Sequence, residues 1–546
     1  MKKQNFMQGA FIATLGIVLS KILGIIYVIP FYAIIGDQGG ALYGYAYSIY
    51  AIFLGISTAG VPLAISKIIS EYNALGYYSL KERAFKLSIK TLNIIGIIAF
   101  IVLMIFAEPI AYLIIGDVQG GNSIADITFV IRLISCAILV VPILSVYRGY
   151  LQGHRFFVPT SISQVLEQIV RVSIIIFGTL IAKEVFNLSL TATVGIAVFS
   201  AFPASLVSWF YLRHKMKKNK RQLTEKTVYA EEPKVTDKQI IKQIVAYAIP
   251  FVMIDVFRTL YNSIDVVMLV KVLVNGIGYT PELAEGVMGI VSTWGNKLNM
   301  IVISVGTGVV SSLIPTISAS FVKKDMKEVN RKINKALEII LFLVLPMVAG
   351  LSFLAEPVWM IFYGASDYGP TVYQLFVFVA LTTVLFTTTI TTVQMMKDYK
   401  QVFIILICGF MTNVICNIPF LYAFNSMGLP AYYGSITSTM CGYMVATFMS
   451  LIYLHKKHGI EYEDTLRKLI PTLMSLFVML IVLFVIRLVL PFNNLTRINS
   501  IFYVLFYALV GAAIYFFVSA KNGVLYDIFG KDAIKNIKGK LIKKRG

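Results

Sequence analysis

Long runs of apolar residues, separated by short polar clusters, recur along the whole chain. We count about fourteen runs of roughly 20 residues or more, each long enough as a helix to cross a hydrocarbon core about 30 Å thick. Backbone N–H and C=O groups in lipid must pair within their own segment, so these runs must be helical. With 58% hydrophobic and only 14% charged residues, the chain is predicted to be an all-α polytopic membrane protein.

The predicted helices form an N-terminal group of six, a second group of six and a final pair. They lie near residues 9–35, 41–66, 85–113, 127–150, 158–182, 190–212, 244–272, 286–314, 336–362, 371–395, 402–424, 431–454, 469–490 and 499–519. A polar stretch with the composition of a solvated linker separates the two groups. The pattern predicts an N-terminal lobe at 1–213, a cytoplasmic linker at 214–239, a C-terminal lobe at 240–455, extra helices at 456–520 and a basic tail at 521–546.

Positive charge is concentrated in alternate loops. The net charge of +21 comes from 48 Lys and Arg against 27 Asp and Glu, and the basic residues gather in every second loop. Cytoplasmic loops of membrane proteins carry such an excess, so we predict a multi-pass plasma-membrane protein with both termini in the cytoplasm. Because the alternation accounts for the basic charge, no nucleic-acid partner is expected.

The two groups of six helices resemble each other. The third helix ends with Ala107-Glu108-Pro109 and a glycine at Gly116, and the ninth ends with Ala355-Glu356-Pro357 and a glycine at Gly364. Six helices per copy is an even number, so duplicated copies keep the same orientation and are related by an axis along the membrane normal. We expect two such lobes to enclose a central cleft.

Several charged residues fall inside the predicted spans, where each costs at least about 2.5 to 3.5 kcal/mol without a partner or a wet cavity. Those near mid-membrane are Lys21, Arg171, Asp255, Arg258 and Lys297. Glu167 with Arg171 at i,i+4, and Asp255 with Arg258 at i,i+3, can pair within their own helices. Lys21 and Lys297 have no acid within one turn, which favours a functional site for an anion such as phosphate or pyrophosphate.

Two further patterns have alternative interpretations. Asn413 and Asn417 at i,i+4 on the eleventh helix could join Asp255 as oxygen ligands of a coupling cation, or could form hydrogen bonds between helices. Three tyrosines at the outer end of the second helix are typical of an interfacial aromatic belt. The chain has no hydrolase, metalloprotease or nucleotide-binding motif, so it is expected to be a transporter without cofactor, and not an enzyme.

One stretch resembles a known superfamily closely. Arg148-Gly149-Tyr150-Leu151-Gln152-Gly153-His154-Arg155 and Ser163-Gln164-Val165-Leu166-Glu167-Gln168-Ile169-Val170-Arg171 are similar to the polysaccharide branch of the MOP exporter superfamily. Ser20-Lys21-Ile22-Leu23-Gly24 resembles the first-helix motif of MurJ-type lipid II flippases, and Lys297 stands where those proteins have an arginine. The chain departs from that pattern at Tyr27, where the family has a second cation, and on the second helix, where tyrosines replace Asp and Arg.

The resemblance implies fourteen helices in a MurJ-like or MATE-like fold that works by alternating access. It implies a substrate of the lipid II type, the undecaprenyl-linked peptidoglycan precursor. We predict that Lys21, Arg258 and Lys297 bind its pyrophosphate, with Arg171, Glu167 and Asp255 as further candidate substrate-binding residues. The energy source would be the membrane potential or a gradient of Na⁺ or H⁺. The implied role is in peptidoglycan synthesis, cell-wall biogenesis and cell shape, with membrane lipids and other wall-synthesis proteins as partners.

Three alternatives stay open at this point. The substrate could be another lipid-linked oligosaccharide, of capsule, teichoic acid or spore cortex. The protein could instead exchange drugs for cations, or act as a scaffold for wall-synthesis enzymes without transporting anything.

Overall fold

Every regular element in the described part of the chain is a helix. The computed structural model describes residues 23–25, 27–58, 60–224 and 231–529. The helices are α1 Val28–Thr58, α2 Gly60–Leu75, α3 Tyr78–Ile115, α4 Ile124–Ser135, α5 Val141–Gly153, α6 Phe157–Ser173, α7 Leu190–Phe199, α8 Ala201–Lys218, α9 Lys220–Thr224, α10 Asp237–Lys271, α11 Pro281–Gly289, α12 Gly295–Val322, α13 Met326–Phe353, α14 Ala355–Tyr363, α15 Gly369–Phe376, α16 Phe378–Met395, α17 Tyr399–Ser426, α18 Tyr433–His458, α19 Glu463–Val489, α20 Arg497–Lys521 and α21 Val524–Phe529.

Twelve stretches of these described residues are long and apolar enough to cross a membrane. They correspond to all the predicted spans except the eighth, and a single stretch, Leu23–Leu75, covers the second span and the described end of the first. The eighth span, predicted at 286–314, lies in the continuous helical run formed by α11, the π-helical turn Ile290–Trp294 and α12. The predicted all-α polytopic fold is confirmed.

The fold divides into two compact units. The first comprises Met1–Lys297 with Cys416–Ser435, and the second comprises Leu298–Ile415 with Ile436–Gly546. In the first unit α2 packs along α5, α6 along α8 and α1 along α10, whereas in the second unit α19 packs against α13 and α20. The lobe boundaries derived from the sequence stay a prediction.

Two glycines of the Arg148–Arg155 motif bring α5 close to α2. A Cβ atom on Gly149 would lie 2.7 Å from the carbonyl oxygen of Pro62, and one on Gly153 would lie 2.8 Å from the Cβ of Ile69. Small residues four apart allow two membrane helices to approach closely. The motif therefore sets a tight helix crossing, and this crossing positions Arg148 in the first unit.

Helices extend into both ends of the predicted linker, 214–239. Helix α8 continues to Lys218 and α10 begins at Asp237, so helices enter the linker from both sides. The Glu232 carboxylate accepts hydrogen bonds from the backbone N–H groups of Ser79 (2.7 Å) and Leu80 (3.1 Å) at the start of α3. Unpaired N–H groups at a helix N-terminus attract a carboxylate, so this part of the linker is held against the first unit.

Candidate functional site

The tyrosines of α1 form a buried row in the first unit. Spacings of four and three residues place Tyr43, Tyr47 and Tyr50 on one helix face, where the rings of Tyr43 and Tyr47 stack at 5.0 Å and those of Tyr47 and Tyr50 meet edge to face at 5.6 Å. Tyr43 is 3% exposed and Tyr50 is 0% exposed. The predicted interfacial belt is therefore wrong, because belt residues lie among lipid headgroups. These rings face the protein interior.

A carboxylate shared by two arginines lies beside this row. On α6, Glu167 accepts a 2.8 Å hydrogen bond from Arg171, which is the pair expected within one helix. Its other carboxylate oxygen accepts a 2.8 Å bond from Arg148 of α5, whose Nε donates to the Ser163 hydroxyl at 3.0 Å. Two guanidinium groups on one carboxylate leave one positive charge in excess. The pair is thus not self-contained.

Arg171 connects this ion cluster to the tyrosine row. Its Nη1 donates to the Tyr47 hydroxyl at 2.9 Å. Its Nε–H is buried and has no hydrogen-bond acceptor among the described residues. A buried donor of a charged group that lacks a partner costs about 1 to 3 kcal/mol or more. Arg171 therefore has one strong donor available for a ligand.

Lys297 adds a further cation to the same cluster. It lies in the first turn of α12, just after Trp294, whose ring is held by Phe31 and Tyr32 at 5.8 and 5.1 Å. The Lys297 ammonium is 5.2 Å from the centre of the Tyr27 ring, and it interacts electrostatically with Tyr27, Tyr47 and Arg171. No carboxylate of the described residues lies within ion-pair distance of it.

The cluster thus holds three cations against one carboxylate. We call Arg148, Glu167, Arg171, Lys297 and the four tyrosines Tyr27, Tyr43, Tyr47 and Tyr50 the cationic tyrosine site. Excess positive charge in a buried setting is costly unless an anion neutralises it. Guanidinium and ammonium groups with neighbouring hydroxyls form the donor set that binds phosphate oxygens through charge-assisted hydrogen bonds.

The other predicted substrate-binding residues are placed as follows. Lys21 and the side chain of Arg258 lie outside the described residues, so their predicted roles stay predictions. Asp255 is half-buried on α10, and a Cβ on Gly55 of α1 would lie at an ordinary contact distance, 3.6 Å, from the Asp255 Cβ. Of the six predicted residues, the structure brings Lys297, Arg171 and Glu167 together.

The two asparagines of α17 form hydrogen bonds between helices. Asn417 donates to the carboxylate of Asp265 at 2.9 Å, and Ser435 donates to the same oxygen at 2.5 Å. Asn413 accepts from Ser438 at 2.8 Å and donates to Thr439 at 3.1 Å. Both asparagines thus form the hydrogen bonds between helices that one alternative predicts, and the coupling-cation alternative stays a prediction.

The carboxylate that meets Asn417 is Asp265, not the predicted Asp255. Asp265 is 2% exposed, and sequence reasoning missed it, although an acid inside the apolar run 244–272 was a usable signal. Among the described residues no group of three or more His, Cys, Asp or Glu side chains is placed to hold a metal ion. The side chains gathered at Asp265 present oxygen atoms, and not the nitrogen and sulfur ligands typical of transition-metal sites.

Comparison with known proteins identifies the family. The family model described as "Polysaccharide biosynthesis protein" matches residues 6–321, which is more than half of the chain. The chain belongs to this family. The protein named "Lipid II flippase MurJ" of Bacillus subtilis (strain 168) is 31% identical over 538 residues, which cover 96% of this chain and 97% of that protein. The predicted membership of the MurJ-type branch is confirmed.

Solved structures agree with the family at the level of the fold. A "Lipid II flippase MurJ" in an inward closed conformation matches 95% of this chain and 99% of that chain, with a TM-score of 0.63 and 18% identity. An inward-facing multidrug MATE transporter of the MOP superfamily matches 82% of this chain and 98% of that chain, with a TM-score of 0.61 and 14% identity. The MATE structure therefore matches a smaller share of this chain than the MurJ structure does.

Proposed function

We propose that this protein is a flippase that moves lipid II from the inner to the outer leaflet of the plasma membrane by alternating access. The observation that carries the proposal is the cationic tyrosine site, where Lys297 has no carboxylate partner among the described residues. A buried excess of positive charge suits the pyrophosphate of the lipid-linked precursor. The full-length likeness to a protein named as a lipid II flippase supports the same substrate. The likeness in fold to a multidrug transporter agrees with the prediction that the protein is a transporter and not an enzyme.

The residues of the site divide the work of binding pyrophosphate. Lys297 supplies an ammonium with three donors, and Arg171 supplies its buried Nε–H. Glu167 holds both arginines, so it orients them and limits the repulsion between neighbouring cations. Hydroxyls of the tyrosine row add donors that carry no charge. Lys21, from the first-helix motif, and Arg258, from its predicted mid-membrane position, are proposed to complete the set.

The sugar head then crosses the membrane in a wet cavity while the polyprenyl tail stays in lipid. Both termini are proposed to lie in the cytoplasm, because the basic loops alternate with acidic ones along the sequence. Lipid II is proposed to reach the site from the inner leaflet. Other wall-synthesis proteins stay predicted partners.

Coupling to an ion gradient is proposed to use the oxygen cluster at Asp265. The carboxylate of Asp265 with the side chains of Asn417 and Ser435 offers oxygen ligands to Na⁺, or a site for H⁺. This replaces the predicted ligand Asp255, while Asn413 belongs to a neighbouring pair of hydrogen bonds. Moving one charge through the membrane potential supplies about 2.3 kcal/mol per 100 mV, which is enough to bias a two-state transporter.

Depletion of the protein in its own cells tests the proposed function. We expect lipid II to accumulate in the inner leaflet and to become inaccessible to a probe added outside the cell. Re-expression of the native chain restores access, whereas the Lys297→Ala variant does not. A scaffold for wall enzymes would tolerate Lys297→Ala, and a multidrug:cation antiporter would change drug sensitivity without moving lipid II. A normal leaflet distribution of lipid II after depletion would overturn the proposal.

A second measurement distinguishes lipid II from another lipid-linked oligosaccharide as the substrate. Proteoliposomes containing the purified chain are supplied with lipid II or with a polyprenyl-pyrophosphate carrying a capsular or teichoic sugar. We expect translocation of lipid II at the higher rate. Translocation of the other glycolipid with no movement of lipid II would reassign the substrate while leaving the cationic tyrosine site its role in binding phosphate.

A further inference from the structure

A pocket of about 890 Å³ lies in the second unit at the elbow between the end of α18 and the start of α19. Its walls are largely apolar, and Ile452, Leu466 and Ile470 contribute to them with more than half of each side chain exposed. Because both helices are candidate spans, exposed apolar side chains at their ends face acyl chains and not water. The volume is that of a site for a small organic molecule or a lipid headgroup.

The floor of this pocket, which we call the elbow pocket, is held rigidly. Asn330 and Asn334 of α13 fix the backbone of Glu461 from both sides, since the Glu461 N–H donates to the Asn330 side chain at 3.1 Å and its carbonyl accepts from Asn334 at 2.7 Å. The Tyr462 hydroxyl donates to the carbonyl of Leu451 at 3.0 Å. The pocket is therefore formed before any ligand arrives, which lowers the entropic cost of binding.

The rim of the elbow pocket carries two cations and two carboxylates. These are Lys456 and Arg467, and Glu461 and Glu463. None of the four forms an ion pair with another described residue, in contrast to Lys457, which binds Asp398. The pocket thus presents positive and negative side chains that do not pair with one another, and such a set is complementary to a ligand that carries both a positive and a negative group.

We propose that the elbow pocket binds a zwitterionic glycerophospholipid with a primary ammonium, that is, phosphatidylethanolamine. The phosphate is bound by Lys456 and Arg467, the ammonium donates to Glu461 and Glu463, and the acyl chains lie along the apolar wall. The location of the lipid in the inner leaflet rests on the proposed topology.

The carboxylates distinguish this ligand from the other common phospholipids. An anionic headgroup such as phosphatidylglycerol would meet two carboxylates without a counter-charge, which is unfavourable. A quaternary choline has no N–H to donate to them. No residue of α20 and none of the cationic tyrosine site lines the elbow pocket.

Lipid titration of the purified full-length chain in detergent, read by native mass spectrometry, tests the proposal. The probes are phosphatidylethanolamine, phosphatidylglycerol and phosphatidylcholine with matched acyl chains. We expect phosphatidylethanolamine to bind about tenfold more tightly than either of the others, which is about 1.4 kcal/mol. Equal binding of the three lipids, or a preference for phosphatidylglycerol, would overturn the assignment.

Two charge variants and a control assign the preference to the pocket. The double variant Glu461→Gln with Glu463→Gln is expected to lose the preference for phosphatidylethanolamine over phosphatidylglycerol. The double variant Lys456→Gln with Arg467→Gln is expected to weaken the binding of both lipids. Lys457→Gln removes a charge from the same helix end outside the pocket and should leave the preference intact. If the acidic double variant keeps the preference while its unfolding midpoint is unchanged, the pocket is not the site. No lipid II is present in the titration, so failure here is distinct from failure of the proposed function.

Discussion

Replacement of Glu167 by glutamine should destabilise the protein more than replacement of either arginine that it binds. Glu167 is the sole carboxylate of the cationic tyrosine site, and the side chains of Arg148, Glu167 and Arg171 are only 10 to 12% exposed. Glutamine keeps the size and one oxygen acceptor but removes the charge. The two guanidinium groups would then face each other in a buried setting without neutralisation.

The structure gives the expected magnitudes. Breaking a buried ion pair so that a charge is left alone costs about 3 to 5 kcal/mol, and Glu167→Gln leaves two such charges. Arg148→Gln is milder, because Glu167 keeps its 2.8 Å bond to Arg171, so the loss is that of a charge-assisted hydrogen bond, about 1.5 to 3 kcal/mol. Arg171→Gln should lie in the same lower range, since Arg148 remains on Glu167.

Unfolding of the purified variants in mixed micelles with increasing sodium dodecyl sulfate measures this order. The double variant Glu167→Gln with Arg148→Gln should recover part of the stability lost by Glu167→Gln, because it removes one of the two unpaired cations. The coupling between the two positions follows from a double-mutant cycle. A smaller loss of stability for Glu167→Gln than for Arg148→Gln, or a double variant less stable than Glu167→Gln, would show that Glu167 does not neutralise the two guanidinium groups.

Three other measurements test separate parts of the structure. Gly434→Ala should destabilise the folded protein by several kcal/mol, since a Cβ there would lie 2.3 Å from the backbone of α17. At Gly350 an added Cβ would have no atom within 4 Å, so Gly350→Ala should be neutral or stabilise the fold by up to about 1 kcal/mol. An unfolding titration measures both. Burial alone would raise the pKa of Asp398 in the loop before α17, but hydrogen bonds from Lys457 and a neighbouring histidine lower it below its usual value. Asp398 therefore stabilises the fold above its unfolded pKa of about 3.9, and the stability difference from Asp398→Asn should be fully present near pH 6 and shrink as the pH falls below about 4, through the lowered pKa of the folded state; a constant difference contradicts this. Asp265→Asn should remove the dependence of lipid II translocation on an imposed Na⁺ or H⁺ gradient in proteoliposomes, and an unchanged gradient dependence would exclude that carboxylate.

The sequence predicts contacts within one helix better than contacts between helices. The Glu167–Arg171 pair follows from its i,i+4 spacing, and it is present. That Arg148 joins them depends on how α5 is rotated toward α6, which spacing along the chain does not determine. Hydrophobic runs likewise predict the spans, because burial in lipid requires length and apolar composition only.

The tyrosine row and the oxygen cluster show what periodicity leaves open. A row of tyrosines near a helix end is compatible with the membrane interface or with the interior, and only packing around Tyr43 and Tyr50 separates the two. Asp255 and Asp265 lie on the same helix, and the contact of Asn417 with Asp265 depends on the packing of α17 against α10. An amphipathic pattern predicts which face of a helix is buried, but the element that packs against that face depends on the tertiary structure.

The central claim is that the cationic tyrosine site binds the pyrophosphate of lipid II, and the affinity of the Lys297→Gln variant for lipid II tests it most directly. Loss of one charge-assisted hydrogen bond, about 1.5 to 3 kcal/mol, predicts a dissociation constant about ten- to a hundredfold weaker than that of the native chain. Lys297→Arg, which keeps the charge, should stay close to native, and binding of undecaprenol without pyrophosphate should not change. Native affinity of Lys297→Gln for lipid II would contradict the account.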